Sequence, residues 1–123
     1  MEQLQRAIVA LAQPADVQLG LFPDGVCKGD ELALDFEEAL PSLWDKDVSA
    51  EQQAAISALD VLILAMSGEK NVDFWTDQAL LRSHPKWEEI RGSAKACAIA
   101  FGWNLQPPPP FGAVFIVPGG SGS

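Results

Sequence analysis

The chain has 123 residues, of which 48% are hydrophobic and 20% charged, and its formal net charge at pH 7 is −9. A chain of this length and composition can bury one hydrophobic core without a metal ion or a disulfide. The negative charge lies entirely in residues 1–60, which hold twelve acidic and three basic residues. This distribution argues against nucleic acid and anionic membranes as partners, because both require a basic surface.

The first predicted helix is followed by a connection. Apolar residues at helical spacing predict a helix over residues 3–13, which Pro14 ends. Residues 14–29 are rich in proline and glycine and predict a loop, with a turn that begins at Pro23. The alternating apolar pattern at 17–21 fits a short strand within this loop.

The second predicted helix begins near Asp30, whose carboxylate can cap the free backbone N–H groups of the first turn. Apolar side chains fall on one side of this helix and acidic side chains on the other. Leu34 is the exception, because it falls in the middle of the acidic side. Pro41 removes a backbone donor and should either kink the helix or start a second short segment, and of these we expect a bend and not the end of the helix.

The third predicted helix has the clearest start in the chain. Ser49 and Gln52 fit a capping box, and Gly68 is a natural stop. Apolar residues cover most of the circumference between them. A helix with so little polar surface must be surrounded, so we expect residues 50–66 to form the central helix of the fold.

The remaining helices are shorter or more amphipathic. Residues 69–73 predict a loop, and Thr76 then offers a cap for a short helix. Pro85 suits the first position of a final helix, which runs to about Phe101 and is ended by Gly102.

The sequence therefore predicts a mainly α fold, a compact bundle of four to five helices around the central apolar helix over residues 50–66. Four prolines at 107–110 predict an extended strap, and the apolar residues 111–117 after it form a short strand or lie extended over the core. We expect residues 1–118 to form a single helical domain. The glycines and serines at 119–123 are typical of a flexible tail or linker.

Residues capable of catalysis are scarce. The single histidine, His84, precedes Pro85 at a predicted helix start, where capping explains it better than acid–base catalysis. Cys97 falls on the apolar face of the final helix, which predicts a buried and inert thiol. Cys27, beside Lys28 in a turn, is the more reactive thiol, although a simple connection also explains this loop. The sequence thus favours a protein without catalytic residues.

Metal and cofactor motifs are also incomplete. Residues 45–49 resemble the first half of a calcium-binding loop, but Ala50 and Ile56 occupy the positions that require glycine and glutamate. No glycine-rich phosphate-binding motif follows a strand. We therefore expect no metal and no cofactor. The prolines at 107–110 fit a polyproline-binding groove of a partner, but a rigid spacer explains them better.

The candidate partner-binding residues lie in and after the second helix. The simplest interpretation of this acidic surface is a solvated polar face. Two features favour binding instead: the charge is concentrated in one half of the chain, and an exposed apolar side chain lies among the carboxylates. We expect a non-catalytic interaction domain that binds a basic protein surface, in the manner of small acidic inhibitor or immunity proteins. The predicted binding residues are Glu31, Leu34, Asp35, Glu38 and Asp45.

A small-molecule-binding helical domain, or a minor enzyme, is the alternative function. Its pocket would lie between helices and be lined by Trp44, Trp75, Trp87 or Phe101. A homodimer formed through an apolar patch that includes the C-terminal strap is a third possibility. The longest apolar run is shorter than the roughly 20 residues that cross a bilayer, and no signal peptide is evident, so we expect a soluble cytoplasmic protein without membrane contact.

Overall fold

A computed structural model of the chain describes residues 2–43 and 46–108. The predicted mainly α fold class is confirmed, since the described residues form seven α-helices and no strand. The described chain also contains two short 3₁₀ segments, Leu40–Leu43 and Glu69–Asn71. The helices in chain order are α1 (Glu2–Leu11), α2 (Ala15–Gly20), α3 (Lys28–Ala39), α4 (Ala50–Ala65), α5 (Val72–Thr76), α6 (Gln78–Ser83) and α7 (Pro85–Phe101).

The last helix, α7, organises the core. It packs against α1 on one side and α4 on the other, and α6 covers its beginning. Trp87, Ile90 and Cys97 are fully buried along its inner side. On the far side of α1 lies α3, which packs against both α1 and α5. This arrangement places the outer side of α3 at the surface of the molecule.

The prediction that α4 is surrounded is wrong. The helix buries one side against α7 through Ile56, Leu59 and Ile63, while Val61 and Leu64 are 65% and 54% exposed. Composition predicted burial on all sides because it counts apolar residues and does not count the neighbouring helices available to cover them. The helix of this fold that has neighbours on several sides is α7.

Helix ends follow the predicted chemistry at several points. Ser49 and Gln52 form the predicted capping box, with each side chain bonded to the backbone of the other residue. Pro85 occupies the first turn of α7, and Gly102 ends the helix with φ of 71°, in the left-handed region that glycine adopts without strain. The cap of α6 is Asp77 and not the predicted Thr76, because the Asp77 Oδ1 accepts from the Ala79 N–H at 2.9 Å.

The start of α3 differs from the prediction. The helix begins at Lys28, two residues before Asp30, and its cap residue Cys27 makes no side-chain bond. Two buried contacts explain the early start. Lys28 Nζ donates to the Leu19 carbonyl at 2.7 Å, and Gly29 lies so close to α5 that a Cβ there would be 2.6 Å from a backbone oxygen, that of Trp75.

Two segments predicted as loops contain helix. The strand predicted at 17–21 is wrong, because α2 occupies this part of the chain. The buried Gln18 side chain donates to the carbonyls of Ala10 and Leu11, which stabilises α2 against the end of α1. Local alternation cannot predict such a tertiary hydrogen bond. The loop predicted at 69–73 is also wrong, since it holds a 3₁₀ turn and the first residues of α5.

The expected bend at Pro41 is wrong and the alternative of a second short segment is confirmed, because α3 stops at Ala39 and a 3₁₀ segment continues to Leu43. Proline has no N–H for an α-helical bond, and the tighter 3₁₀ turn follows. The predicted strap, strand and tail beyond residue 108 lie outside the described residues. None of the described helices combines the length and apolarity that a membrane crossing needs.

Candidate partner-binding face

One side of α3 carries three carboxylates beside an exposed leucine. The opposite side of the helix is buried through Leu32 and Phe36. At 3.6 residues per turn, Leu34 points almost directly away from that buried side, and it is 45% exposed. Glu38 is exposed beside it, and Glu31 and Asp35 are half-buried. We call Glu31, Leu34, Asp35 and Glu38 the α3 acidic face.

Within the α3 acidic face, Asp35 is the residue whose ionisation is disfavoured by its surroundings. The pKa of its carboxyl group is raised, first by partial burial and then by the negative charges of Glu31 and Glu38. Arg6 of α1 opposes the shift and lowers the pKa. The ionised form of Asp35 is therefore less stable than it would be in water, and an additional positive charge would stabilise it.

The α3 acidic face takes part in none of the ion pairs found among the described residues. Those pairs join Lys28 to Asp24, Arg82 to Asp16, Lys86 to Glu89 and Arg91 to Glu88. Several bases are thus paired with acids elsewhere in the molecule. The structure brings together four of the five predicted binding residues, and the fifth, Asp45, lies outside the described residues.

A pair of carboxyl groups outside the α3 acidic face, those of Glu37 and Asp60, was not predicted from the sequence. Glu37 of α3 shares a hydrogen bond with Asp60 of α4, and the pKa of Glu37 is raised to about 7 by burial, by this bond and by the charge of Asp60. Glu37 Oε1 and Asp60 Oδ1 are shielded from solvent and accept no bond from another described group. The two residues lie 23 positions apart in the sequence, so no local pattern could have paired them.

A buried arginine also escaped the sequence analysis, although it has a structural role. Arg91 is 6% exposed, and its Nε donates to Gln18 Oε1 at 3.0 Å while a second nitrogen donates to the Leu81 carbonyl. The network ties α7 to α2 and α6. The helical spacing of the sequence indicates that Arg91 lies on the buried side of α7, because it comes four residues after the buried Trp87 and three before the buried Ala94.

The candidate catalytic residues have other contacts. The capping interpretation of His84 is confirmed, since its Nδ1 accepts from the Lys86 N–H at 3.0 Å. Cys97 is buried as predicted, and burial raises the pKa of its thiol to about 11. A thiol with this pKa is protonated at neutral pH and is a poor nucleophile. Cys27 is exposed.

Two of the tryptophans named for the alternative function, Trp75 and Trp87, lie at the edge of the core and within it. Trp87 is fully buried and its Nε1 donates to the Phe74 carbonyl, while Trp75 Nε1 donates to the Met66 carbonyl. Trp44 lies outside the described residues. A cavity of about 570 Å³ lies between α1 and the segment after α7, and most of the residues that line it are polar, among them Gln3, Gln5, Arg6, Asn104 and Gln106.

Comparison with protein-family models, with curated proteins and with solved structures finds no match for this chain. Among the described residues, no three histidine, cysteine, aspartate or glutamate side chains are grouped so that they could hold a metal ion. The geometry and charge of the α3 acidic face are therefore the features from which function is inferred.

Proposed function

We propose that this protein is a non-catalytic interaction domain whose α3 acidic face binds a basic surface of another protein. The observation that carries the proposal is the position of Glu31, Asp35 and Glu38 along one flank of Leu34, an exposed leucine. Carboxylates steer a cationic partner toward the face, and an apolar side chain at their centre can enter a pocket of the partner. An inhibitor or immunity protein that covers a cationic site would work in this way.

The raised pKa of Asp35 supports this function on energetic grounds. Carboxylates that repel one another weaken the free protein, and a bound lysine or arginine removes that repulsion. Binding of a cation is therefore linked to proton release near the pKa of Asp35. Arg6 of α1 offsets this repulsion only in part, because the pKa of Asp35 stays raised, and a basic partner would offset the rest.

The partner that fits this face has complementary chemistry. Its surface carries lysine or arginine side chains around a shallow apolar depression that accepts Leu34. A nucleic acid does not fit, because phosphates would be repelled by the carboxylates. Both cysteines are free thiols, which agrees with a reducing compartment such as the cytoplasm.

The test uses a short oligolysine peptide as a defined cationic probe, with binding measured by isothermal titration calorimetry. The variant carries Glu31→Gln, Asp35→Asn and Glu38→Gln, which remove three charges from the α3 acidic face. We expect oligolysine affinity to fall at least tenfold, because three attractive charges are lost at one place.

The matched control removes three charges from exposed acids elsewhere, through Asp47→Asn, Glu69→Gln and Asp73→Asn. Both variants have the same net charge, so a general charge effect would weaken their binding of oligolysine equally. Equal losses of oligolysine affinity in the two variants would refute a local binding site on α3. The partner itself is then sought among proteins that wild type and the control retain from a cell lysate and that the α3 variant and Leu34→Ala do not.

A further inference from the structure

Two carboxyl groups of different helices meet where α3 approaches α4. Glu37 of α3 is hydrogen-bonded to Asp60 of α4. One oxygen of each group, Glu37 Oε1 and Asp60 Oδ1, has almost no contact with solvent. Along α3, Glu37 lies on the other flank of Leu34 from the three carboxylates of the α3 acidic face, so the pair is a separate feature of the molecule.

The packing of the two helices leaves this junction open to movement. Among the described residues, α4 packs mainly against α7, and α3 packs mainly against α1 and α5. A cavity of about 380 Å³ lies between α4 and the 3₁₀ segment Leu40–Leu43, and Leu43, Ile56 and Asp60 are among the residues that line it. The two helices can therefore separate at this point while each keeps its contacts with the core.

The protonation state of Glu37 decides whether the junction is attractive or repulsive. A protonated Glu37 donates its hydrogen bond to the Asp60 carboxylate and holds α3 to α4. When both groups are ionised, the two charges repel each other, and Glu37 Oε1 and Asp60 Oδ1 accept no bond from another described group. Shielded charges without a donor are costly, so the ionised pair favours separation and entry of water.

The other charged groups near α3 and α4 leave this repulsion in place. Lys46 lines the same cavity as Asp60, but it is exposed, so solvent screens its charge. Arg6 of α1 acts on the α3 acidic face. The bases of α6 and α7, apart from Lys95, take part in the ion pairs described above. The remaining charged side chains on the neighbouring helices are exposed: Glu2 of α1, Asp73 of α5 and Lys95 of α7.

We propose that Glu37 and Asp60 form a proton-dependent latch between α3 and α4. The latch is closed while Glu37 is protonated, and it opens when both carboxyl groups are ionised, with α4 still held against α7. The pKa of Glu37 is raised to about 7, first by burial and then by the bond to Asp60 and its charge. A raised pKa favours the closed state below that value, so the latch opens as pH rises through about 7. The proposal does not depend on the partner-binding function.

Pulsed EPR distances between spin labels in the full chain test the latch. The labels are attached through Leu34→Cys on α3 and Ala58→Cys on α4, both exposed positions, in a Cys27→Ser background where the remaining native thiol is buried. We expect one distance at about pH 5 and a distance longer by about 3 Å at about pH 9, because a water molecule then separates groups that were hydrogen-bonded.

Two variants and a second pair of labels serve as controls. Glu37→Gln and Asp60→Asn each remove one of the two charges and keep a hydrogen bond, so each should retain at about pH 9 the distance found at about pH 5. Labels at Ala58→Cys and Ile99→Cys report the position of α4 on α7 and should give one distance at both pH values, since Ile99 is exposed on α7.

Three results would overturn the proposal. The first is a distance between α3 and α4 that stays the same at both pH values when both carboxyl groups are present. The second is an equal lengthening in either Glu37→Gln or Asp60→Asn. The third is the same lengthening between α4 and α7, which would indicate general loosening of the fold and not a local latch.

Discussion

The raised pKa of Glu37 beside Asp60 predicts that the stability of the protein depends on pH. The pKa of Glu37 is about 7 in the folded protein, against an ordinary value of 4.5. Folding therefore favours the protonated form of this carboxyl group. Its stabilising effect is complete below about pH 4.5 and is lost as pH rises toward 7, because the folded protein must then ionise a group that is shielded beside another carboxylate.

The magnitude of this effect follows from the two pKa values. A difference between 7 and 4.5 corresponds to at most about 3 kcal/mol. Glu37 is half-buried, so solvent screening reduces the expected effect to roughly 1 to 2 kcal/mol. Glu37→Gln replaces the carboxyl group by an amide that donates to Asp60 at every pH. We expect this variant to be more stable than wild type above about pH 7 by roughly 1 to 2 kcal/mol.

The assay is urea unfolding of both proteins, followed by tryptophan fluorescence from about pH 4 to about pH 9. The difference in unfolding free energy between wild type and Glu37→Gln should change by roughly 1 to 2 kcal/mol between about pH 4 and about pH 9. Glu69→Gln, at an exposed glutamate, is the control and should change stability by the same small amount at every pH. A difference in unfolding free energy between wild type and Glu37→Gln that does not vary with pH would refute the raised pKa of Glu37.

Three further predictions concern packing and reactivity. Arg91→Met leaves Gln18 Oε1 without its arginine donor, so the unfolding free energy in urea should fall by about 3 kcal/mol; a loss below about 0.5 kcal/mol would contradict the network. Gly29→Ala should destabilise by about 1 to 3 kcal/mol because its Cβ has no room. Gly92→Ala, which has open space, should stabilise by up to about 1 kcal/mol, and equal effects of the two would contradict this packing. Iodoacetamide at neutral pH should label Cys27 in the native protein and Cys97 only after unfolding, as mass spectrometry would show; rapid native labelling of Cys97 would contradict its burial.

Local chemistry predicted much of the helical fold. The capping box at Ser49, the proline at the start of α7 and the glycine at its end each act within a few residues, and each appears in the structure. Local patterns failed where distant groups decide the conformation. The helix α2 depends on hydrogen bonds from Gln18 to α1, and α3 starts early because Gly29 packs against α5.

The candidate site could be predicted only in part. Helical periodicity placed Leu34 among Glu31, Asp35 and Glu38, and the structure keeps these residues on one accessible side of α3. The position of Arg6 beside Asp35 depends on how α1 packs against α3, and no pattern within either helix predicts it. The same limit applies to the pair of carboxyl groups that joins α3 to α4.

The α3 acidic face is proposed to bind positive charge. The most direct measurement is the pKa of Asp35, followed by NMR of its side-chain carboxyl carbon in the free protein and with the oligolysine peptide. The free protein should show a pKa above the ordinary value of 3.8, because of burial and the charges of Glu31 and Glu38. Bound oligolysine should lower it. A pKa that stays the same while the peptide binds would place the binding elsewhere and contradict the claim.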